Sequence, residues 1–167
     1  MSTIPSLSPF VGPIAIAVVL TAAATDLQRR RIPNWLTFGA WLLALPVQMM
    51  VHGPAAGISA WALGWLTGFG IFLPVYLLRG MAAGDVKLMA AVGAWLGASL
   101  AAWIALACFV IGGAWALMLV LATGKGRQLL RNLGGIALTG QAGPSVGSLP
   151  YGVAIAAGTL TMLFART

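Results

Sequence analysis

The sequence predicts an all-α, polytopic membrane protein with about six transmembrane helices in a single domain over residues 1–167. Hydrophobic residues make up 60% of the chain, whereas soluble domains have about 45–50% even when glycine is counted. Charged residues make up only 7%, too few to cover a water-facing surface. The mean hydropathy of +0.99 agrees, so a soluble enzyme and a disordered chain are both excluded.

Six apolar stretches approach the roughly 20 residues that cross a bilayer. The stretch over residues 86–123 is too long for one helix and short for two. We therefore divide it at residues 97–99 and expect a short or tilted fourth helix. The predicted spans cover residues 10–25, 35–51, 55–78, 86–97, 100–123 and 149–165.

Basic residues cluster after the first, third and fifth spans, which the positive-inside rule places on the cytoplasmic side. The net charge of +7 therefore reflects membrane orientation, with lipid as the surroundings and no nucleic-acid partner expected. Eight of the 9 basic residues belong to these clusters: Arg29, Arg30, Arg31, Arg79, Lys87, Lys125, Arg127 and Arg131.

Glycines recur four residues apart, as Gly64 and Gly68 and as Gly93 and Gly97. Such spacing lets helix backbones approach closely in lipid, so it predicts tight helix packing. Residues 134–147 are rich in glycine and serine and are predicted to form a cytoplasmic loop, with room for a short surface helix over residues 127–138.

The chain has only two acidic residues, Asp26 and Asp85. The predicted topology places Asp26 at the cytoplasmic end of span 1 and Asp85 at the cytoplasmic start of span 4, at the same membrane depth. Two carboxylates in one site cannot both ionise easily, so one holds a proton while the other activates water, as in aspartic proteases. Alternatively, each aspartate only neutralises neighbouring Arg29 to Arg31 or Lys87.

Other catalytic arrangements lack the necessary residues. A hydrolytic metal site needs three or more ligands, which two aspartates and the remote His52 cannot supply, so no metal is expected. Residues 143–147 match G-x-S-x-G, but no strand precedes them and His52 is predicted on the opposite membrane face. The lone Cys108 can form neither an internal disulfide nor a zinc knuckle.

A transporter that uses the two aspartates as proton or ion relays is the alternative function. Two observations weigh against it. Both acids are predicted at one membrane face instead of the midplane, and no pair of matching interrupted helices indicates inverted repeats.

Three local sequences resemble the prepilin peptidase family of intramembrane aspartyl proteases, in particular its short members that serve tight-adherence (Flp-type) pili. Asp26 begins the sequence DLQRRRIPNW, and Asp85 lies within GMAAGDVKLMAA, residues 80–91. Residues 149–156, LPYGVAIA, resemble the opening of the family's last helix. The resemblance extends over about residues 10–165.

The resemblance implies an aspartic endopeptidase of the bacterial inner membrane that cleaves the leader from pilin or pseudopilin precursors at the cytoplasmic face. It assigns the catalytic roles to Asp26 and Asp85, without a metal or organic cofactor. Longer family members carry a methyltransferase activity and a zinc-binding insert with two CxxC motifs. Since Cys108 is the only cysteine, no such insert is expected.

The family's Gly-x-Gly-Asp motif reads Ala82-Ala83-Gly84-Asp85 here, with Gly80 and Lys87 flanking it. Ala82 replaces the first glycine and would be strained in a left-handed backbone. Helix dipoles further predict that Asp85, ahead of span 4, ionises before Asp26, at the end of span 1. In this hypothesis Asp85 is the base and Asp26 the acid.

Overall fold

A computed structural model describes residues 10–123 and 151–165, and the structural statements below concern these residues. They form six helices and no strand, which confirms the all-α fold, and each helix overlaps one predicted span. The helices are α1 (Val11–Arg29), α2 (Asn34–His52), α3 (Pro54–Leu77), α4 (Ala83–Leu96), α5 (Ala98–Thr123) and α6 (Tyr151–Phe164). The predicted loop over residues 134–147, the surface helix over residues 127–138 and the G-x-S-x-G stretch all lie outside the described residues.

Four helices, α1, α2, α3 and α5, are long and apolar enough to cross a membrane, and α6 is a shorter apolar helix. This pattern is that of a multi-pass membrane protein. Helix α4 has 14 residues, roughly 21 Å at about 1.5 Å per residue. It is shorter than the hydrocarbon core of about 30 Å, so the expectation of a short fourth helix is confirmed.

Helix α4 occupies the centre of the bundle and contacts all five other described helices. Its residues are buried from Asp85 to Leu96, except that Lys87 is half-buried. The apolar residues around this helix are compatible with such an enclosed position. The other helices therefore surround α4 and decide where its first turn, with Asp85, lies.

Helices α3 and α4 touch through their backbones. A Cβ atom on Gly64 would collide with the carbonyl group of Gly93, and one on Gly93 would collide with the carbonyl group of Gly64. A Cβ atom on Gly68 would similarly meet the carbonyl group of Met89. The close packing predicted from the glycine spacing is confirmed, and any side chain at these positions would separate the two helices.

Two buried side chains connect the C-terminal end of α4 to α2. Gln48 Nε2 donates hydrogen bonds to the carbonyl oxygens of Ala94 (3.0 Å) and Trp95 (2.7 Å). Trp95 Nε1 donates in turn to the carbonyl oxygen of Ala40 (2.8 Å). The last carbonyl groups of a helix have no partner within it, so Gln48 satisfies two of them and fixes α4 along its axis.

Candidate active site

Asp26 lies near the C-terminal end of α1 and is 7% exposed. Its Oδ2 atom accepts a hydrogen bond of 3.0 Å from the backbone N–H of Gly152, in the first turn of α6. The first N–H groups of a helix have no partner within it and form the positive end of its dipole. The start of α6 therefore presents a hydrogen-bond donor to the Asp26 carboxyl group.

Asp85 lies in the first turn of α4 and is 5% exposed. Its Oδ2 atom accepts a hydrogen bond of 3.0 Å from the backbone N–H of Ala82. The Asp85 N–H donates to the carbonyl oxygen of Ala82 at 3.1 Å. This is the acidic half of a capping box, and it holds the carboxyl group against the start of the helix.

The turn before α4 does not need a glycine at the first position of the motif, where this chain has Ala82. Ala82 has φ −85° and ψ 156°, an extended conformation open to any residue. The strain considered for a left-handed backbone at Ala82 is therefore absent, and the substitution of alanine for the first motif glycine is tolerated locally.

The two flanking glycines allow close contacts. A Cβ atom on Gly84 would lie 3.3 Å from Cβ of Ile32, in the segment between α1 and α2. Gly80 follows Arg79, which has φ 58°, and its N–H donates to the carbonyl oxygen of Val75 at 2.8 Å. This bond closes the end of α3 in the manner of a Schellman motif, and it directs the chain into the turn before Asp85.

Both aspartates line a cleft of about 670 Å³ between the α1–α2 connection and the start of α4. This volume is within the range of small-molecule sites. The structure thus brings together the two acids that the topology predicted at one membrane face. The other lining residues are Thr25, Gln28, Arg29, Arg30, Arg31, Ile32, Pro33, Asn34, Trp35, Ala82, Ala83, Gly84 and Lys87.

Burial raises the pKa of Asp85, which precedes the apolar part of α4, from its ordinary value of 3.8 to about 7. The hydrogen bond from Ala82 lowers this pKa, and the negative charge of Asp26 raises it. A neighbouring cation lowers the pKa of a carboxyl group, so burial outweighs any such effect at Asp85.

Lys87 contacts helix α2. Its Nζ atom donates a hydrogen bond of 3.0 Å to Oδ1 of Asn34 and lies 5.4 Å from the ring centroid of Phe38. Lys87 thereby joins the first turns of α4 and α2 at the cleft that both aspartates line.

The pKa of Asp85 is raised, whereas the helix dipole of α4 predicts that this group ionises readily. Asp85 has a pKa near neutrality, while Asp26 faces the N–H of Gly152. The prediction missed α6, because Gly152 is 126 residues from Asp26 in sequence. The only sequence signal for this contact was the glycine within residues 149–156.

The described residues contain no group of three or more His, Cys, Asp or Glu side chains that could hold a metal ion. His52 lies at the last position of α2, whereas the cleft involves the first residues of that helix, such as Asn34. Within residues 10–123 and 151–165, the titratable groups of the cleft are therefore its two aspartates and its basic residues.

Comparisons with known proteins agree on one family. A family model described as "Type IV leader peptidase family" matches residues 14–117. Two curated proteins named "Prepilin leader peptidase/N-methyltransferase", from Burkholderia pseudomallei strains 1026b and K96243, are each 30% identical over 159 residues. The match includes 90% of this chain and 45% of each relative, so the chain spans about half their length. No solved structure matches the chain significantly.

Proposed function

Because the chain belongs to the type IV leader peptidase family, we propose that it is an aspartic endopeptidase that removes the leader peptide from type IV or Flp-type pilin precursors. The observation that carries this proposal is the meeting of Asp26 and Asp85, the only acids of the chain, in one cleft. Both are buried, and Asp85 retains a proton in about half of the molecules near pH 7.

In the proposed reaction, Asp26 is the base and Asp85 the acid. Asp26 takes a proton from water, whose oxygen attacks the scissile carbonyl carbon while Asp85 gives its proton to the carbonyl oxygen. A tetrahedral diol forms. Asp26 then gives its proton to the leaving nitrogen, Asp85 takes a proton back from a diol hydroxyl group, and the C–N bond breaks. Both carboxyl groups thus return to their initial states.

The neighbouring motif residues support this chemistry by position. Gly80 and Gly84 allow the close turn before α4, and the Ala82 N–H holds the Asp85 carboxyl group. Lys87 joins α4 to α2 through Asn34. We assign these residues a supporting role, with no metal or organic cofactor in the reaction.

The proposed location is the bacterial inner membrane, with the cleft at the cytoplasmic face. Arg29, Arg30, Arg31 and Lys87 line the cleft, and basic residues mark the cytoplasmic side of membrane proteins. A pilin precursor inserted in the same membrane would present its leader junction at this level. Lipid is the surroundings and the pilin or pseudopilin precursor is the partner.

The test is to replace each acid with its uncharged isostere. Asp26→Asn and Asp85→Asn should each abolish cleavage of a pilin precursor from the same organism, and the double variant should be no worse, because the two groups act as one unit. Thr21→Ala is the matched control on α1, since the exposed Thr21 hydroxyl donates only to the carbonyl oxygen of Ala17 in its own helix. Substantial cleavage by either single variant contradicts the proposal.

The transporter alternative predicts a different result in the same variants. The native protein and the Asp26→Asn variant would each be reconstituted in vesicles and tested for proton or cation flux. Flux that is present in the native protein and lost in Asp26→Asn, together with no cleavage by the native protein, would favour the transporter.

A further inference from the structure

The first turn of α6 makes a specific contact with Asp26. The Gly152 N–H donates to Asp26 Oδ2 at 3.0 Å, and both residues are buried. Gly152 is the second residue of α6, so its N–H has no acceptor within the helix. The bond to Asp26 therefore satisfies a donor that would otherwise be unpaired at a buried position.

Glycine allows this contact without crowding. A Cβ atom at residue 152 would lie 3.0 Å from both Cβ and Oδ2 of Asp26, and 3.3 Å from its Cγ. These atoms belong to a packed helix, because α1 contacts α6, and its residues Ala22 and Ala23, about one turn before Asp26, are buried. A larger residue would thus displace the carboxyl group or the start of α6.

A second contact fixes the start of α6 on its other side. The ring of Tyr151 packs against α5 at Gly112, where a Cβ atom would lie 3.1 Å from Tyr151 Cε1. The first turn of α6 is therefore held between α1 and α5. A donor that is fixed in this way can determine the orientation of the group it binds.

We propose that Gly152 is a positioning residue, whose N–H orients the Asp26 carboxylate and whose missing side chain admits that carboxylate to the helix terminus. The inference rests on the proposed function, since it gives Gly152 a role through Asp26. With Oδ2 held by Gly152, Oδ1 is the oxygen left to take the proton from water.

The sharpest test removes the N–H without adding a side chain. Replacement of Gly152 by glycolic acid, in the full chain made by cell-free synthesis into lipid vesicles, substitutes an ester oxygen for the amide nitrogen. We expect kcat for the pilin precursor to fall about 10- to 100-fold, with KM changed less than about twofold. The matched control is the hydroxy-acid replacement of Val153, the next residue of the same turn, which should retain kcat within about threefold.

The alanine variant tests the steric half of the proposal. Gly152→Ala should lose at least as much kcat as the ester, whereas Gly113→Ala in α5, where a Cβ atom meets nothing within 4 Å, should resemble the native protein. Since Gly152→Ala can also fail to fold, the ester variant decides the result.

The outcomes separate this inference from the proposed function. Native kcat in the ester variant, or a loss confined to KM, overturns the positioning role of Gly152. If Asp26→Asn is inactive in the same assay, the proposed function is unaffected by that result. If Asp26→Asn still cleaves, the proposed function itself fails, and the positioning role fails with it.

Discussion

The pKa of Asp85, which burial raises and the hydrogen bond from Ala82 lowers, should set the upper pH limit of activity. The acid must be protonated to act, so activity is present below its pKa and lost as the pH rises through that value. With a pKa of about 7 for Asp85, about a tenth of the molecules remain protonated at pH 8. The basic limb of the kcat/KM profile should therefore begin near pH 7.

Ala82→Pro removes the N–H donor and should move this limit upward. The φ of −85° at Ala82 is close to the range of proline, about −65 ± 15°, so the backbone can remain in place. A hydrogen bond to a charged group contributes about 1.5–3 kcal/mol, equivalent to about one to two pKa units. Since the Ala82 bond stabilises the ionised form, its loss should raise the limit to about pH 8–9.

The matched control is Ala83→Pro. Ala83 is the first residue of α4, a position that accepts proline well, and the N–H at Ala82 remains. The assay is initial cleavage rate of a pilin precursor in vesicles from pH 5 to 10. An unchanged basic limb in Ala82→Pro, or an equal shift in Ala83→Pro, would refute the reasoning about this hydrogen bond.

Two further predictions concern packing and orientation. Gly64→Ala should destabilise the protein by about 1–3 kcal/mol in denaturant unfolding, because the added Cβ atom collides with α4. The control is Gly70→Ala, whose Cβ atom would lie in open space and should leave the stability unchanged. Equal stabilities of the two variants would contradict the contact. Single cysteines introduced as Gln128→Cys and His52→Cys in a cysteine-free protein should be labelled from the cytoplasmic and the opposite side, respectively; the reverse pattern would place the cleft outside the cytoplasm.

The fold could be predicted because a membrane span is recognised from the apolar composition and the length of a stretch of sequence. The proximity of the two acids could be predicted because few helix ends lie on one membrane face and the chain has no other carboxylate side chain. Close helix packing at Gly64 and at Gly93 could be predicted from small residues at four-residue spacing, and the structure confirms it and shows that the two glycines meet each other.

Contacts between distant helices could not be predicted in the same way. The bond from Gly152 to Asp26 depends on α6 lying beside α1, and no pattern within either helix specifies that pairing. The bonds from Gln48 to the end of α4 have the same origin. The extended conformation of Ala82 likewise depends on how the turn leaves α3, so a motif glycine alone did not reveal it.

The two aspartates belong to two differently packed parts of the bundle. Asp85 is on α4, which is joined to α3 by backbone contact and to α2 by Gln48, whereas Asp26 is on α1 and bound to α6. Long helices tilt to match the hydrocarbon thickness around them. We therefore expect a bilayer with longer or shorter acyl chains to change the tilt of these helices and, with it, the separation of the carboxyl groups. The lipid composition would then be one of the factors that set the geometry of this site.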